Sequence, residues 1–418
     1  MHILVLNSGS SSLKFQVIDI VITETGECQA HYLAKGLVES IGSNAQLTFT
    51  VSGKQKTRQN KPIKNHQIAI DTILQWLVSP QAEIDAIQSF DDIQAVGHRV
   101  VHGGERFAKS ILIDQTVISG IEKCMELAPL HNPANLKGIE AITALLGSDI
   151  PQVAVFDTAF HATLSEAAYL YGLPYQFYRR YKIRRYGFHG NSHRYIAYKY
   201  RKIHNIPAKE VNIISLHLGN GCSACSIHAG KSIDTSMGFT PLDGLVMGTR
   251  SGDIDASILN YLHSKEGMDF AEIDNLLNKQ SGLLGISGLT SDMREILDEA
   301  NEHDDRRAKL AIEIFCRNIR KYIAAYFVEA SGKVDAIVFT GGIGENSAQI
   351  REIICTQLIA IGLEFDPLAN NQGLDNCEYR QISTPDSKLK AWVIPTNEEF
   401  IIAVDTIREV TLKKSACG

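Results

Sequence analysis

The strongest constraint on the fold is a set of short, β-branched apolar runs: Ile3 to Leu6, Ile93 to Val96, Val153 to Phe156, Ile213 to Leu218, Ala336 to Phe339 and Trp392 to Ile394. Each has the length of a buried strand, and stretches of helical periodicity lie between several of them. That alternation predicts an α/β protein rather than an all-β one. The clearest helix precedes Gly332. There Ile312, Phe315, Ile319, Ile323 and Phe327 recur at helical spacing while Glu313, Arg317, Arg320 and Lys321 take the intervening positions, and Gly332 fits a helix stop.

At ~100–200 residues per domain, 418 residues imply two or three domains. No fixed-period repeat, low-complexity tract or Pro-rich linker marks a boundary, but two segments echo one another. One strand runs into Asn7-Ser8-Gly9-Ser10-Ser11-Ser12 and another into His217-Leu218-Gly219-Asn220-Gly221-Cys222-Ser223, and each is followed by a second alternating segment, Leu13 to Ile18 and Ala224 to Ile227. Both read as β-hairpins with polar, Gly-rich tips, and two copies of one hairpin suggest two similar domains.

The formal net charge of −6 argues against bulk binding to nucleic acid or an anionic membrane. It leaves room for a small anionic substrate, because a few cations converging in a cleft set the local field whatever the total. The eight cysteines show no framework of paired spacings and no signal-peptide pattern precedes Ile3, so a reducing cytoplasm is expected. No apolar run approaches the ~18–20 residues that span a bilayer, so no membrane partner is expected.

The first tip, Asn7 to Lys14, can offer backbone N–H groups, hydroxyls and a lysine to phosphate oxygens, although an ordinary Ser-rich turn has the same composition. The second tip satisfies G-x-G-x-x-G/A at Gly219 to Ala224 but lacks the helix a dinucleotide site needs. Gly230-Lys231-Ser232 nearly spells a Walker A loop, with Cys225 in place of its first glycine. Cys222 and Cys225, with His217 and His228, have zinc-like spacing without a second ligand pair, and packed thiols are the better reading.

A third Gly-rich segment, Thr340 to Ser347, ends a buried strand and opens an amphipathic helix, where glycines allow close approach and N–H groups attract anions. An unliganded tight turn is an equal alternative there. Four further clusters set a cation beside glycine or proline, each expected at a strand end: Gly97 to Gly104, Pro129 to Pro133, Arg184 to Gly190 and Gly248 to Asp253. Asp157 follows a buried run, the position where α/β sheets hold ligands and also a common place for a structural carboxylate.

Taken in order, V-L-N-S-G-S-S-S-L-K from Val5, G-H-R-V-V-H-G-G from Gly97, A-P-L-H-N-P from Ala128, V-F-D-T-A-F-H from Val155, R-R-Y-G-F-H-G from Arg184, H-L-G-N-G from His217, M-G-T-R-S-G-D-I-D from Met247, S-G-L-L-G-I-S-G from Ser281, F-T-G-G-I-G-E-N from Phe339 and T-N-E-E from Thr396 resemble the acetokinase family, within the superfamily of actin, Hsp70-type ATPases and sugar kinases. The resemblance covers essentially the whole chain.

It implies two duplicated ribonuclease-H-like (actin-like ATPase) domains with an active-site cleft between them: residues 1–159 plus 397–418, with a returning C-terminal helix, and 160–396, for nucleotide binding and dimerisation. It implies Mg²⁺-dependent (Mn²⁺ as a substitute), reversible phosphoryl transfer from ATP to acetate, giving acetyl phosphate and ADP, in a cytoplasmic homodimer. By motif match, Asn7 and Glu398 would help hold the metal, and Ser10, Ser12 and Lys14 would line the phosphate path. Arg99, Arg250, His189, His131 and Asp157 would form the catalytic set, with Val101, Leu130, Phe188 and Pro241 as the acceptor's apolar pocket and Arg99 on its carboxylate. His217, Leu218, Gly219, Asn220 and Gly221 would cradle phosphates, Asp292, Met293 and Arg294 would contact adenosine, and Gly341, Gly342, Ile343, Gly344, Glu345 and Asn346 would close around the nucleotide. The departures are small: Cys222-Ser223-Ala224-Cys225 in the second hairpin, and Asp243 where the family often has glutamate.

Propionate as acceptor is the nearest alternative, with Val101 favouring acetate. An actin- or Hsp70-like ATP-driven clamp would leave Arg99, His131 and the apolar pocket without a role.

Overall fold

A computed structural model describes residues 1–23, 27–129, 131–374 and 377–417, the last helix as backbone alone beyond residue 413. The chain divides into two compact units, Met1–Ala159 with Asn397–Gly418, and Phe160–Thr396.

The first unit is built on strands β1 (His2–Ser8), β2 (Ser12–Ile22), β3 (Cys28–Glu39), β4 (Asn44–Val51), β5 (Thr57–Pro62), β6 (Ala95–Val100), β7 (Ile111–Leu112) and β8 (Gln152–Phe156), in the order β5-β4-β3-β2-β1-β6-β8-β7. β1 to β5 form an antiparallel meander, and β1, β6 and β8 run parallel. β1 is apolar without interruption from Ile3 to Leu6 because both faces are covered there. Leu4 and Leu6 pack with Ile70, Ile73 and Ile142 of the helices His66–Leu77 and Asn132–Leu146. Ile3 and Val5 pack with Ile402, Ala403 and Ile407 of the helix Glu398–Cys417. Glycine is required at position 97 in β6, because a Cβ there would lie 2.4 Å from Thr406 Oγ1 and 2.7 Å from Ile402 Cγ2 of that last helix.

The second unit carries β9 (Ile213–Leu218), β10 (Cys222–His228), β11 (Lys231–Thr235), β12 (Ala336–Thr340), β13 (Arg380–Gln381) and β14 (Lys390–Val393), ordered β11-β10-β9-β12-β14-β13. An antiparallel hairpin, β9 with β10, again has its first strand paired parallel to β12, and β12 parallel to β14. The run β11-β10-β9-β12-β14 repeats the plan of β3-β2-β1-β6-β8, so each unit is the same mixed α/β sheet.

The helix Gly190–His204 packs Ile196, Ala197 and Tyr200 against Ile213, Ile227 and Val338. The helix Arg306–Glu329 buries Ile312, Phe315, Ile319 and Ile323 as its periodicity predicts, stops at Glu329, and leaves Gly332 in the left-handed region, where its N–H donates to Phe327 O. Among the described residues no helix is long and apolar enough to cross a membrane.

Candidate active site

In the first unit, register assembles the site. Asn7 on β1 pairs with Lys14 on β2 and with Arg99 on β6, so the three side chains share one rung. Asn7 follows Ile3 and Val5 at period two, which puts this rung on the face covered by the last helix, and that helix opens with Glu398 and Glu399. Asp157 follows β8 and is fully buried.

Arg99 is the hub. Its Nη2 donates to Asp157 Oδ2 at 2.6 Å, its Nη1 donates to Asn7 Oδ1 at 3.1 Å, and Nε lies 3.7 Å from Glu398 Oε2. That Nε is buried and, among the described residues, has no hydrogen-bond partner. Burial alone would lower the Arg99 pKa, but the charges of Asp157 and Glu398 raise it above its ordinary value, so the guanidinium stays charged. Lys14 Nζ sits 2.5 Å from Glu399 Oε1, and there too the carboxylates outweigh burial and raise the pKa. Glu398 is pushed up to about 7, chiefly by burial and then by Asp157 and Glu399, against the pull of Arg99.

The tip between β1 and β2 is closed by Gly9 N–H to Ser12 O, and His66 Nε2 braces it at 2.6 Å from Gly9 O. Ser10 is exposed there and Ser12 half-buried. His131 takes the N-cap position of the helix Asn132–Leu146, and Val101 is buried after β6. Asn135 ties Val101 N to Ser8 O, and Asn132 bonds both backbone groups of His102. Leu130 lies outside the described residues.

The second unit holds the other cluster. His189 caps the helix Gly190–His204 at φ +55°, left-handed backbone that a non-glycine residue rarely adopts. Its ring lies 4.2 Å from that of His217, centroid to centroid. A Cβ on Gly221 would meet the His189 ring at 3.4 Å and Arg250 Nη1 at 3.6 Å, so both side chains reach the β9–β10 tip. Arg250 donates to Pro241 O at 3.2 Å, and Phe188 is buried.

The β9–β10 tip meets the Gly-rich turn after β12. Gly341 has φ +76° and stands so close to Leu218 that a Cβ would lie 2.7 Å from the Leu218 carbonyl oxygen, and Gly219 faces the N–H of Gly342. Beside them opens a cavity of about 690 Å³ lined by Gly219, Asn220, Asp292, Met293, Arg294, Gly342, Ile343 and Asn346, together with Ser291, Leu297, Asp298, Asn301, Ser347 and Gln349. That is ample for a nucleoside. Gly344 and Glu345 do not line it. Gly344 packs on Phe339 and Leu218, while Glu345 accepts from Gly341 N and Thr396 N and so holds the turn.

The Acetokinase family model matches residues 2–404. Acetate kinase from Chloroherpeton thalassium is 56% identical over 419 residues, 99% of this chain and 100% of the relative. The Solibacter usitatus acetate kinase is 53% identical over 98% of each chain.

The chain belongs to the acetokinase family.

Solved structures of that family agree with the fold. The Porphyromonas gingivalis acetate kinase has a TM-score of 0.89 at 44% identity, covering 98% of this chain and 99% of its own. A propionate kinase from Francisella tularensis has a TM-score of 0.87 at 43% identity, covering 97% and 99%. Membership makes the protein a phosphotransferase of the kinase type.

Several expectations change against this frame. Only one of the four cation clusters, Gly97 to Gly104, lies at a strand end; the Pro129 cluster and Arg184 to Gly190 lead into helices, and Gly248 to Asp253 is a loop. Within the first, Arg99 alone is charged, since burial lowers His98 to about 4 and His102 to about 3. Cys222 and Cys225 are buried thiols, and Cys222 donates to Gly219 O. His66 and Asn135 carry no signal in the sequence, whereas Asn132 and Glu399 lie inside the A-P-L-H-N-P and T-N-E-E motifs with no role of their own assigned there.

Proposed function

We propose that the protein transfers the γ-phosphoryl group of ATP to acetate, reversibly and by direct in-line attack, giving acetyl phosphate and ADP. What supports the reading is the fixed Arg99 guanidinium, charged and held by Asp157 and Asn7, in a chain that matches the family over residues 2–404.

Phosphoryl transfer asks a protein for alignment and for charge stabilisation more than for covalent chemistry. Arg99 binds the acceptor carboxylate, and Arg250, with His189, balances charge on the equatorial oxygens. By motif match, His131 serves the acceptor, and Val101, Leu130, Phe188 and Pro241 serve its methyl group. Acetate is already an anion at neutral pH and needs no general base. Asp157 therefore orients Arg99, the partner it holds at 2.6 Å, rather than removing a proton. The cavity beside Gly219 and Gly342 takes the nucleoside, and Ser10, Ser12, Lys14 and the His217 to Gly221 tip follow the phosphates.

The donor set of Asn7 Oδ1 with the Glu398 carboxylate suits a hard divalent cation such as Mg²⁺, and Glu398, made hard to ionise by burial and neighbouring carboxylates, gains from a positive charge beside it. When bound, the ion would neutralise charge on the nucleotide phosphates. Mn²⁺ meets the same oxygen donors. The protein acts in the cytoplasm as a homodimer joined through residues 160–396.

The test is ADP formation with ATP and Mg²⁺ across a panel of short carboxylates, the product trapped as hydroxamate. Acetate-dependent turnover is expected. Turnover that prefers propionate selects the activity named for the Francisella tularensis relative, and ATP hydrolysis indifferent to any carboxylate overturns the reading.

A further inference from the structure

Arg250 sits in a long irregular segment, residues 236–256 between β11 and the helix Ser257–Glu266, where neither helix nor strand holds the backbone. Its neighbours bond instead to the chain around the helix Gly282–Ser287. Met247 O accepts from Leu283 N at 2.9 Å, Gly248 O from Leu284 N at 2.9 Å and Thr249 O from Ser281 N at 3.0 Å, while Ser251 N donates to Leu277 O at 3.0 Å. Thr249 adds its hydroxyl, which donates to Asn278 O at 3.0 Å. Gly248 N also donates to Asn220 O at 2.9 Å, which ties the loop to the β9–β10 tip.

The seat beneath the loop is itself fixed. Leu283 is fully buried, and Arg307, on the helix Arg306–Glu329, donates from Nε to Ile286 O at 2.8 Å and from Nη2 to Gly285 O at 3.1 Å. Asn318 of the same long helix accepts from Val246 N at 2.9 Å, so loop and seat share one support. Gly282 makes their approach possible. Its φ of +61° is left-handed, and a Cβ there would collide with Met247 O and stand 2.6 Å from Arg250 O and 3.1 Å from Arg250 N. The segment S-G-L-L-G-I-S-G from Ser281 thus meets the site through its backbone, although it supplies no side chain to the catalytic set.

We propose that Gly282 is a positioning residue for phosphoryl transfer: with residues 281–284 it seats the loop that carries Arg250, and it affects turnover through that arginine. The role rests on Arg250 balancing charge at the phosphoryl group. A guanidinium stabilises developing charge best when it is aimed before the substrates arrive, and that requires a backbone already in place. Arg250 is held at its far end as well, where Nη1 donates to Pro241 O at 3.2 Å. A shift of its backbone is therefore not absorbed by the side chain without loss of that bond.

Gly282→Ala alters no side chain of the site and tests the seat in the full-length chain. It should lower kcat by on the order of 100-fold, as for a misplacement of ~1 Å, and leave KM for ATP within about twofold. Added to Arg250→Ala, it should change kcat by no more than about twofold; losses that multiply, or wild-type kcat in Gly282→Ala alone, overturn the proposal. For a Gly282→Ala chain that does not fold, Thr249→Val carries the same test. Its loss of kcat should be ~3–10-fold, the weight of one hydrogen bond, restored in Thr249→Ser and absent in the Arg250→Ala background. A loss of equal size in that background, or none in either, overturns the proposal. Hydrogen exchange reads the seat without activity: residues 247–252 should exchange at least ~10-fold faster in either variant while β12 is unchanged, and equal protection overturns the seat. A wild-type chain without carboxylate-dependent turnover removes the reaction, and exchange then decides the seat by itself.

Discussion

Gly97→Ala tests how tightly the two ends of the first unit are joined. The added Cβ would stand 2.4 Å from Thr406 Oγ1 and 2.7 Å from Ile402 Cγ2, where non-bonded carbons ordinarily keep ~3.5–4.0 Å. Thr406 cannot easily turn away, because its hydroxyl donates to Ile402 O at 2.7 Å. Relief therefore requires the helix Glu398–Cys417 to lift by about 1 Å. Overpacking of this kind costs ~1–3 kcal/mol, which for a unit of this size lowers Tm by ~2–12 °C.

The same lift moves Glu398 and Glu399 away from Arg99 and Lys14, contacts now at 3.7 and 2.5 Å, and a misplacement of ~1 Å in an aligned site costs on the order of 100-fold in kcat. Differential scanning calorimetry and steady-state kinetics on the same preparation measure both effects. Thr406→Ala, which deletes the nearer obstacle, should recover part of the loss when combined with Gly97→Ala, with a coupling of ~0.5 kcal/mol or more. A Gly97→Ala protein with wild-type Tm and kcat, or strict additivity with Thr406→Ala, would refute this reasoning.

Arg250→Ala should lower kcat by on the order of 100-fold or more with little change in KM for ATP, as for loss of one preorganised electrostatic donor, and near wild-type turnover would end its proposed role. Val101→Ala should move the acetate-to-propionate ratio of kcat/KM toward propionate, since room for one methylene is worth ~1–3 kcal/mol; an unchanged ratio removes Val101 from the pocket. Asp243 is pushed up to about 6 by burial first, and then by its hydrogen bond with Asp253, against Arg185. A carboxyl raised above its ordinary 3.8 favours the folded state while protonated, so its contribution is present below that value and is lost as pH rises through about 6. Asp243→Asn should therefore flatten the decline of Tm across that window, with the slope read from melts at stepped pH.

The hairpins were legible because each needs only local signals, a β-branched run, a Gly-rich tip and a second alternating segment, and β9 has the bounds of its apolar run. β6 was misplaced toward Ile93 because Gly97, His98 and Arg99 interrupt the apolar pattern. They belong to the strand for reasons a local window cannot hold: a helix from the far end of the chain lies against Gly97, His98 bonds Gln152, and Arg99 is drawn to Asp157. β5, Thr57–Pro62, gave no signal, since every residue is exposed and only its ladder with β4 makes it a strand. For the site, motif order identified Arg99, His189 and Arg250 as residues. It could not supply their supports, because Lys14 with Glu399, Asn135 with Ser8, and Leu283 with Met247 are partners set by folding.

The last helix completes a sheet whose strands are among the first made. On a ribosome, residues 160–396 are a continuous stretch that can close its own core while the earlier unit still waits for residues 397–418. Until they emerge, the face of Ile3, Val5, Ile18, Ile20, Val153 and Val155 has no cover. The usual N-to-C order of domain completion is thereby reversed, and a chain terminated just short of Glu398 would present that apolar face to chaperones, proteases and other nascent chains.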